Sequence, residues 1–262
     1  MKKNDKRPHA KGKGDSHGKP RTAPESVRAT RPEELPLSHR ESGERVNMKP
    51  GALTAPLPPV IVTVGDGEVA NMITIGWTGI LATHPPKTYI SVRPQRHSYG
   101  IIKRTGEFVI NLTTTRMAKA VDYAGIYTGA KVDKFAKTGL TPTPSKEVVA
   151  PTLAEAPLAL ECRVSEVLSM GTHDVFVADI VNVSVSPDML DGEGKLRYDK
   201  AELLAYAHGE YYALGQKLGA FGFSANKGKK TPPVSGKNRN NTTKNAPKSD
   251  SDTALSDKEA NK

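Results

Sequence analysis

A single cysteine, Cys162, in 262 residues excludes a disulfide framework and any cysteine-rich zinc cluster. Set in an alternating strand-like run, it reads as a small buried apolar residue of a reducing compartment. Nowhere is there an apolar run of about 18 residues, so a membrane-spanning helix is not expected. The first residues lack a signal-peptide apolar segment, and their acidic residues argue against an organellar transit peptide; the expectation is a cytoplasmic protein with no membrane partner. Aromatic residues are scarce at 5%, and all of them lie between Trp77 and Phe223, leaving neither end with aromatic mass for a core. Catalytic signatures are missing too. Residues 49–224 contain no G-x-S-x-G, and no H-E-x-x-H, Walker A or strand-linked G-x-G-x-x-G occurs. Of the seven histidines, His9, His17 and His39 fall near the N-terminus and His84, His97, His173 and His208 are scattered, so no metal site is expected.

The net charge of +10 sits at the ends of the chain. Residues 1–48 carry 12 basic and 7 acidic side chains, residues 225–262 carry 9 and 4, and the stretch between holds 17 of each. A nucleic-acid-binding domain needs a basic folded face, which this neutral middle does not supply; nucleic acid contact is expected only through the ends. Both ends are rich in Lys, Gly, Pro, Ser and Asn without hydrophobic periodicity, the composition of a disordered tail whose ordering entropy is not offset by burial. The expected organisation is a basic tail at 1–48, one domain at 49–224 and a second basic tail at 225–262. Met48, where the folded-looking region opens, is a second candidate for the translation start.

Between the tails the dominant period is two, with β-branched runs bounded by Gly and Pro. Strands are expected at 59–64, 70–77, 88–92 and 107–112, with the Pro85-Pro86 pair demanding a loop. A short helix is expected from His97 to about 103, stopped near Gly106, and another from a cap at Thr114 or Thr115 to about Tyr123. Two long strands, 158–168 and 175–185, are joined by a linker short enough for an antiparallel hairpin, and 199–218 reads as helical or mixed. No repeat period of 20 to 50 residues is present. The fold class expected is mainly β, a closed or split antiparallel barrel with a few short helices.

In Ser91-Val92-Arg93-Pro94-Gln95-Arg96-His97-Ser98-Tyr99 a strand ends in two arginines and a serine at a helix entrance. Guanidinium forks bind phosphate oxygens bidentately, a serine hydroxyl adds a donor, and the first free N–H groups of a helix favour an anion. A helix cap flanked by solvated arginines is the plainer alternative. In Trp77-Thr78-Gly79 a strand end carries the sole tryptophan beside small residues, where backbone can approach a flat ligand. A core tryptophan is the alternative there. Taken together, the two features fit a ligand with a phosphate at one end and an aromatic ring system at the other, as in flavin mononucleotide (FMN).

The ordered series Asn71-Met72-Ile73-Thr74-Ile75-Gly76-Trp77-Thr78, His84-Pro85-Pro86, Tyr89-Ile90-Ser91-Val92-Arg93-Pro94, Arg96, Ser98-Tyr99 and 106–112 resembles the flavin reductase-like family of FMN-binding split barrels, and within it the flavoredoxin branch. The likeness continues through Asp133-Lys134-Phe135, Gly171-Thr172-His173 and His208-Gly209-Glu210-Tyr211-Tyr212, covering about 49–224. It implies a homodimeric split barrel with FMN near the subunit interface. Trp77, Thr78 and Gly79 would line the isoalloxazine, Ser91 and Val92 the ribityl chain, and Arg93, Arg96 and Ser98, next to Tyr99, the phosphate. Asn111 and Leu112 would complete the pocket. Many relatives carry an Asn-Ser-Phe-Thr-like segment where this chain has Gly76-Trp77-Thr78-Gly79, so backbone contacts to the ring are expected in place of side-chain ones. His173 would reach the nicotinamide or the flavin edge, and Glu210 and Tyr212 would close the site or the dimer.

No acid or nucleophile is required of such a protein, because the cofactor carries the chemistry and the fold supplies orientation. The function implied is transfer of reducing equivalents from NAD(P)H through FMN to a flavin or redox-protein acceptor. Three alternatives stand beside it: an electron carrier fed by a protein donor, an FMN-binding module without catalysis whose basic tails hold nucleic acid, and another reaction of the same fold, such as pyridoxamine-phosphate oxidation.

Overall fold

The computed structural model describes residues 45–225. The two basic tails, apart from a few residues at their inner ends, and the nucleic-acid role assigned to them lie outside the described residues. Residues 45–51 are exposed and form no regular element.

From Ala52 onward the chain builds a mainly β unit. In chain order come β1 (Val60–Gly65), β2 (Ala70–Ile75), β3 (Thr78–Thr83), β4 (Pro86–Val92), α1 (His97–Thr105), β5 (Glu107–Asn111), α2 (Ala118–Ile126) and α3 (Lys134–Thr138). After them come β6 (Pro142–Thr143), β7 (Thr152–Leu153), β8 (Leu158–Ser169), β9 (Asp174–Val185), β10 (Leu204–Ala207) and β11 (Glu210–Ala213). Seven strands form one antiparallel sheet in the order β2-β1-β5-β8-β9-β4-β3, while β6–β7 and β10–β11 are separate hairpins.

That order requires a barrel. Laid flat, seven strands would hold their edges about 29 Å apart. The edge strands β2 and β3 are consecutive in the chain, joined only by Gly76 and Trp77, a link that spans about 11 Å at most. The sheet must therefore curl until its edges meet at that link. The two edges are not hydrogen-bonded to each other, so the barrel is split along this seam. Irregular register between Glu161 and Cys162 and between Val164 and Glu166 bends the long β8–β9 hairpin around the barrel.

Alternate residues of the strands fill the interior, among them Val60, Val62, Ile73, Ile90, Phe108 and Phe176. Each contributes roughly 1.5 to 3 kcal/mol on burial. The outer face of β1 is buried as well, with Ile61 packing beside Met72 against Met117 and Val121 below α2. Burial on both faces explains why β1 reads as a continuous apolar run. Cys162 is wholly buried, and desolvation pushes its thiol up to about 12, so it is an inert core residue. No described helix is long and apolar enough to cross a membrane.

Several expectations are corrected. The strand expected over 70–77 ends at Ile75, and β3 was not foreseen. A register break between Ile80 and Ala82 destroys the alternation of β3, and Ile80 and Leu81 are both exposed. The segment 199–218, expected to be helical or mixed, contains the β10–β11 hairpin, turned by His208 and Gly209 at positive φ. The expected cap at Thr114 or Thr115 opens a short 3-10 turn, Thr115–Met117, and Thr114 makes no side-chain capping bond. Helix α2 follows and runs to Ile126, and α3, not anticipated, starts at an Asp133 side chain that accepts from the Ala136 N–H.

Candidate functional site

At the seam, where β2 hands over to β3, lies a cleft of about 270 Å³. One wall is the edge of β2 with the Gly76-Trp77 link; the other is Ser91, Val92 and Arg93 at the end of β4. The wall is tied together where the Ser91 N–H donates to the Trp77 carbonyl at 2.9 Å. Trp77 stays 42% exposed, with its ring 4.5 Å from the His173 ring at the turn of the β8–β9 hairpin. Tyr206 and Tyr211 of the β10–β11 hairpin add further aromatic surface.

Adjoining the cleft through Ile73 and Arg96 is a smaller cavity of about 100 Å³ at the N-terminus of α1. Arg96, the N-cap residue, lines this cavity, where the first N–H groups of α1 add partial positive charge. Ser98 is buried and accepts from the Asn71 amide at 2.9 Å. The Asn71 amide oxygen lies against Gly129, where a Cβ would sit 2.1 Å away; only glycine allows this approach.

Lys134, at the start of α3, is 3% exposed and reaches the same cavity. Its ammonium donates to the carbonyls of Met72 at 2.8 Å and Ala124 at 2.7 Å, which accounts for two of its three donors. Burial, with a smaller contribution from Arg96, lowers it to about 8. His173 is held below its ordinary value chiefly by burial and secondarily by the Arg93 charge, so it is neutral at pH 7. Cations are thus gathered with no carboxylate lining either cavity. Such uncompensated positive charge is unfavourable until an anion joins it.

The structure gathers Trp77, Ser91, Val92, Arg93, Arg96 and His173 around the cleft, and Ser98 in the smaller cavity. Thr78 and Gly79 continue into β3, where the Thr78 hydroxyl donates to the Tyr89 carbonyl and the Gly79 carbonyl accepts from Thr88. Tyr99 packs on Phe176 and donates to Asp174. Asn111 is buried, donating to Ile61 O and Thr63 Oγ1 and accepting from the Leu153 N–H, a knot that ties β5 to β1 and β7. Leu112 packs against the barrel core. None of these five lines either cavity, and neither do Glu210 and Tyr212, whose hydroxyl donates to the Glu210 carboxylate on the exposed side of the hairpin. Sequence reasoning missed Asn71, Lys134, Tyr206 and Tyr211. Asn71, Lys134 and Tyr211 lie in segments that carry the resemblance but were assigned no role there, whereas Tyr206 lies outside them.

Comparison with known proteins adds a family. Residues 53–215 match the family described as flavin reductase like domain. The fold is similar to that of flavoredoxin of Desulfovibrio vulgaris (Miyazaki F), with a TM-score of 0.65 and 30% identity over 70% of this chain and 100% of that one. It is also similar to an FMN-binding protein from Thermus thermophilus, with a TM-score of 0.57 and 26% identity over 68% and 98% of the two chains. Among curated sequences, the NADPH-flavin oxidoreductase of Streptomyces viridifaciens is 26% identical over 168 residues, 63% of this chain and 81% of that protein.

Proposed function

The chain belongs to the flavin reductase-like family, in its flavoredoxin branch, and on that footing we propose that it is an FMN-dependent oxidoreductase passing reducing equivalents from NAD(P)H to a flavin or redox-protein acceptor. The observation that carries the reading is the cation-lined cavity at the N-terminus of α1, opening beside a cleft walled by strand backbone and Trp77. A phosphate monoester joined to a flat ring matches that pairing, and the two cavities together fall at the lower end of the range usual for small-molecule sites. The names of the relatives support FMN as the ligand and NADPH as one donor class.

Arg96, Lys134, Ser98 and the first turn of α1 hold the phosphate in this reading, with Arg93 beside the sugar chain. Asn71 positions Ser98 by the hydrogen bond between them. The backbone of 74–77 supplies the wall for the ring, and neutral His173, braced on Trp77, shields the ring edge from water. When bound, FMN supplies a two-electron centre able to accept hydride, so the protein needs no nucleophile of its own. The homodimer implied by the resemblance belongs to this proposal and is tested by sedimentation.

An absorption spectrum of the purified protein with added FMN, followed by NAD(P)H in the absence of oxygen, tests the proposal. Bound flavin bands that bleach support a reductase. Bands that persist favour a carrier fed by a protein donor, a reading to which the likeness to flavoredoxin gives weight. Failure to bind FMN refutes both.

A further inference from the structure

A third cavity, of about 310 Å³, lies beside the cleft, and Trp77 and Tyr206 line both. Its other side is the extended segment from Ala52 to Leu57. That segment is clamped to the β10–β11 hairpin by a pair of backbone hydrogen bonds, Leu57 N–H to Tyr206 O at 2.8 Å and Tyr206 N–H to Leu57 O at 2.9 Å. Main-chain pairing thus fixes the Leu57 end of the segment against the hairpin at one side of the cavity. Its size falls within the range of small-molecule sites.

The chemistry of its lining is unlike that of the phosphate cavity. No Lys, Arg, Asp or Glu lines it, and its ionisable side chains are limited to the His208 imidazole and the Tyr206 phenol. Leu53, 47% exposed, and the half-exposed indole of Trp77 present apolar surface that nothing in the described chain covers. A nucleotide half would need cations for its phosphates, and none is present. A flat uncharged ring would gain apolar burial and stacking on Trp77 and Tyr206 without any charge to desolvate.

We propose that this cavity is a binding subsite for an uncharged, flat, quinone-like or aromatic molecule, a small electron acceptor served in addition to the flavin or redox-protein acceptor. This rests on the reading of the neighbouring cleft as a flavin site, since Trp77 and Tyr206 would then stand between the two ligands.

The probe is menadione (2-methyl-1,4-naphthoquinone), titrated calorimetrically into FMN-loaded protein and, separately, by quenching of the single tryptophan in protein without FMN. The expected result is saturable binding at one site per chain, weakened at least tenfold in Leu53→Glu, whose FMN affinity matches the parent and so reports an intact fold. Ala52→Glu gives the same loss by a second route. Absence of saturable binding, or binding unchanged in both variants, overturns the proposal. Protein that binds menadione but no FMN refutes the flavin reading and leaves the subsite standing; protein that binds FMN but no menadione does the reverse.

Discussion

Binding of FMN should carry a proton onto Lys134, and the size of that uptake follows from where the ammonium sits. In the free protein its value is lowered from 10.5 to about 8 by burial, with help from the Arg96 charge. A phosphate dianion between the two cations removes the reason for that depression, returning Lys134 toward its ordinary value. At pH 8.5 about a quarter of the free protein carries the proton and nearly all of the complex does, an uptake of about 0.7 proton per FMN. At pH 7 the lysine is already about nine-tenths charged, and its small uptake is cancelled by the proton a phosphate with a second pKa near 6 releases, so the net is close to zero. Integrated from pH 7 to 9, the affinity falls about tenfold, or about 1.4 kcal/mol. Titration calorimetry in buffers of different ionisation enthalpy reads the uptake directly, and Lys134→Met should abolish it. FMN binding with no proton uptake at pH 8.5, or an affinity flat from pH 7 to 9, would refute the assignment of Lys134 to the phosphate.

Other outcomes follow from the same geometry. Arg96→Ala should weaken FMN by about 1 to 3 kcal/mol, the loss of a charge-assisted hydrogen bond, and Arg93→Ala by a similar or smaller amount; unchanged affinity in both would place the phosphate elsewhere. Asn111→Ala should leave FMN affinity unchanged but lower stability by about 1 to 3 kcal/mol in urea, because Thr63 and the Leu153 N–H lose their partner; an effect on affinity alone would put Asn111 in the site after all. Gly129→Ala, which must displace the Asn71 amide, should loosen the Ser98 contact and raise the FMN dissociation constant with little change in the far-ultraviolet dichroism. Phe108→Ala, a wholly buried side chain at the barrel centre, should cost about 3 to 5 kcal/mol in the same urea experiment.

How far the sequence reaches depends on the range of the interaction involved. Alternation marked β4 and parts of the β8–β9 hairpin, because a strand with one buried face writes its period into the chain, whereas β1 and β5, buried on both faces, showed as short apolar β-branched runs. The Arg93-to-Ser98 run was legible because a strand end, a helix start and two arginines are neighbours along the chain. The strand expected to end at Trp77 stops at Ile75, and Trp77 sits in the two-residue link to β3, a break that the local pattern did not mark. Strand β3 stayed hidden because its bulge breaks the period, and the β10–β11 hairpin because its turn is His208-Gly209, with a non-glycine at positive φ. What only tertiary structure decided is which of the remaining polar residues line the cleft and its adjoining cavity. Asn111 looked like a pocket residue and instead spends its amide inside the sheet, while Lys134, 38 residues beyond Arg96, arrives beside it through α3 packing on β2 and α2. Composition and period record burial, which is local and averaged over a face; the meeting of two cations across the fold depends on how separate elements pack, and no local pattern along the chain records it.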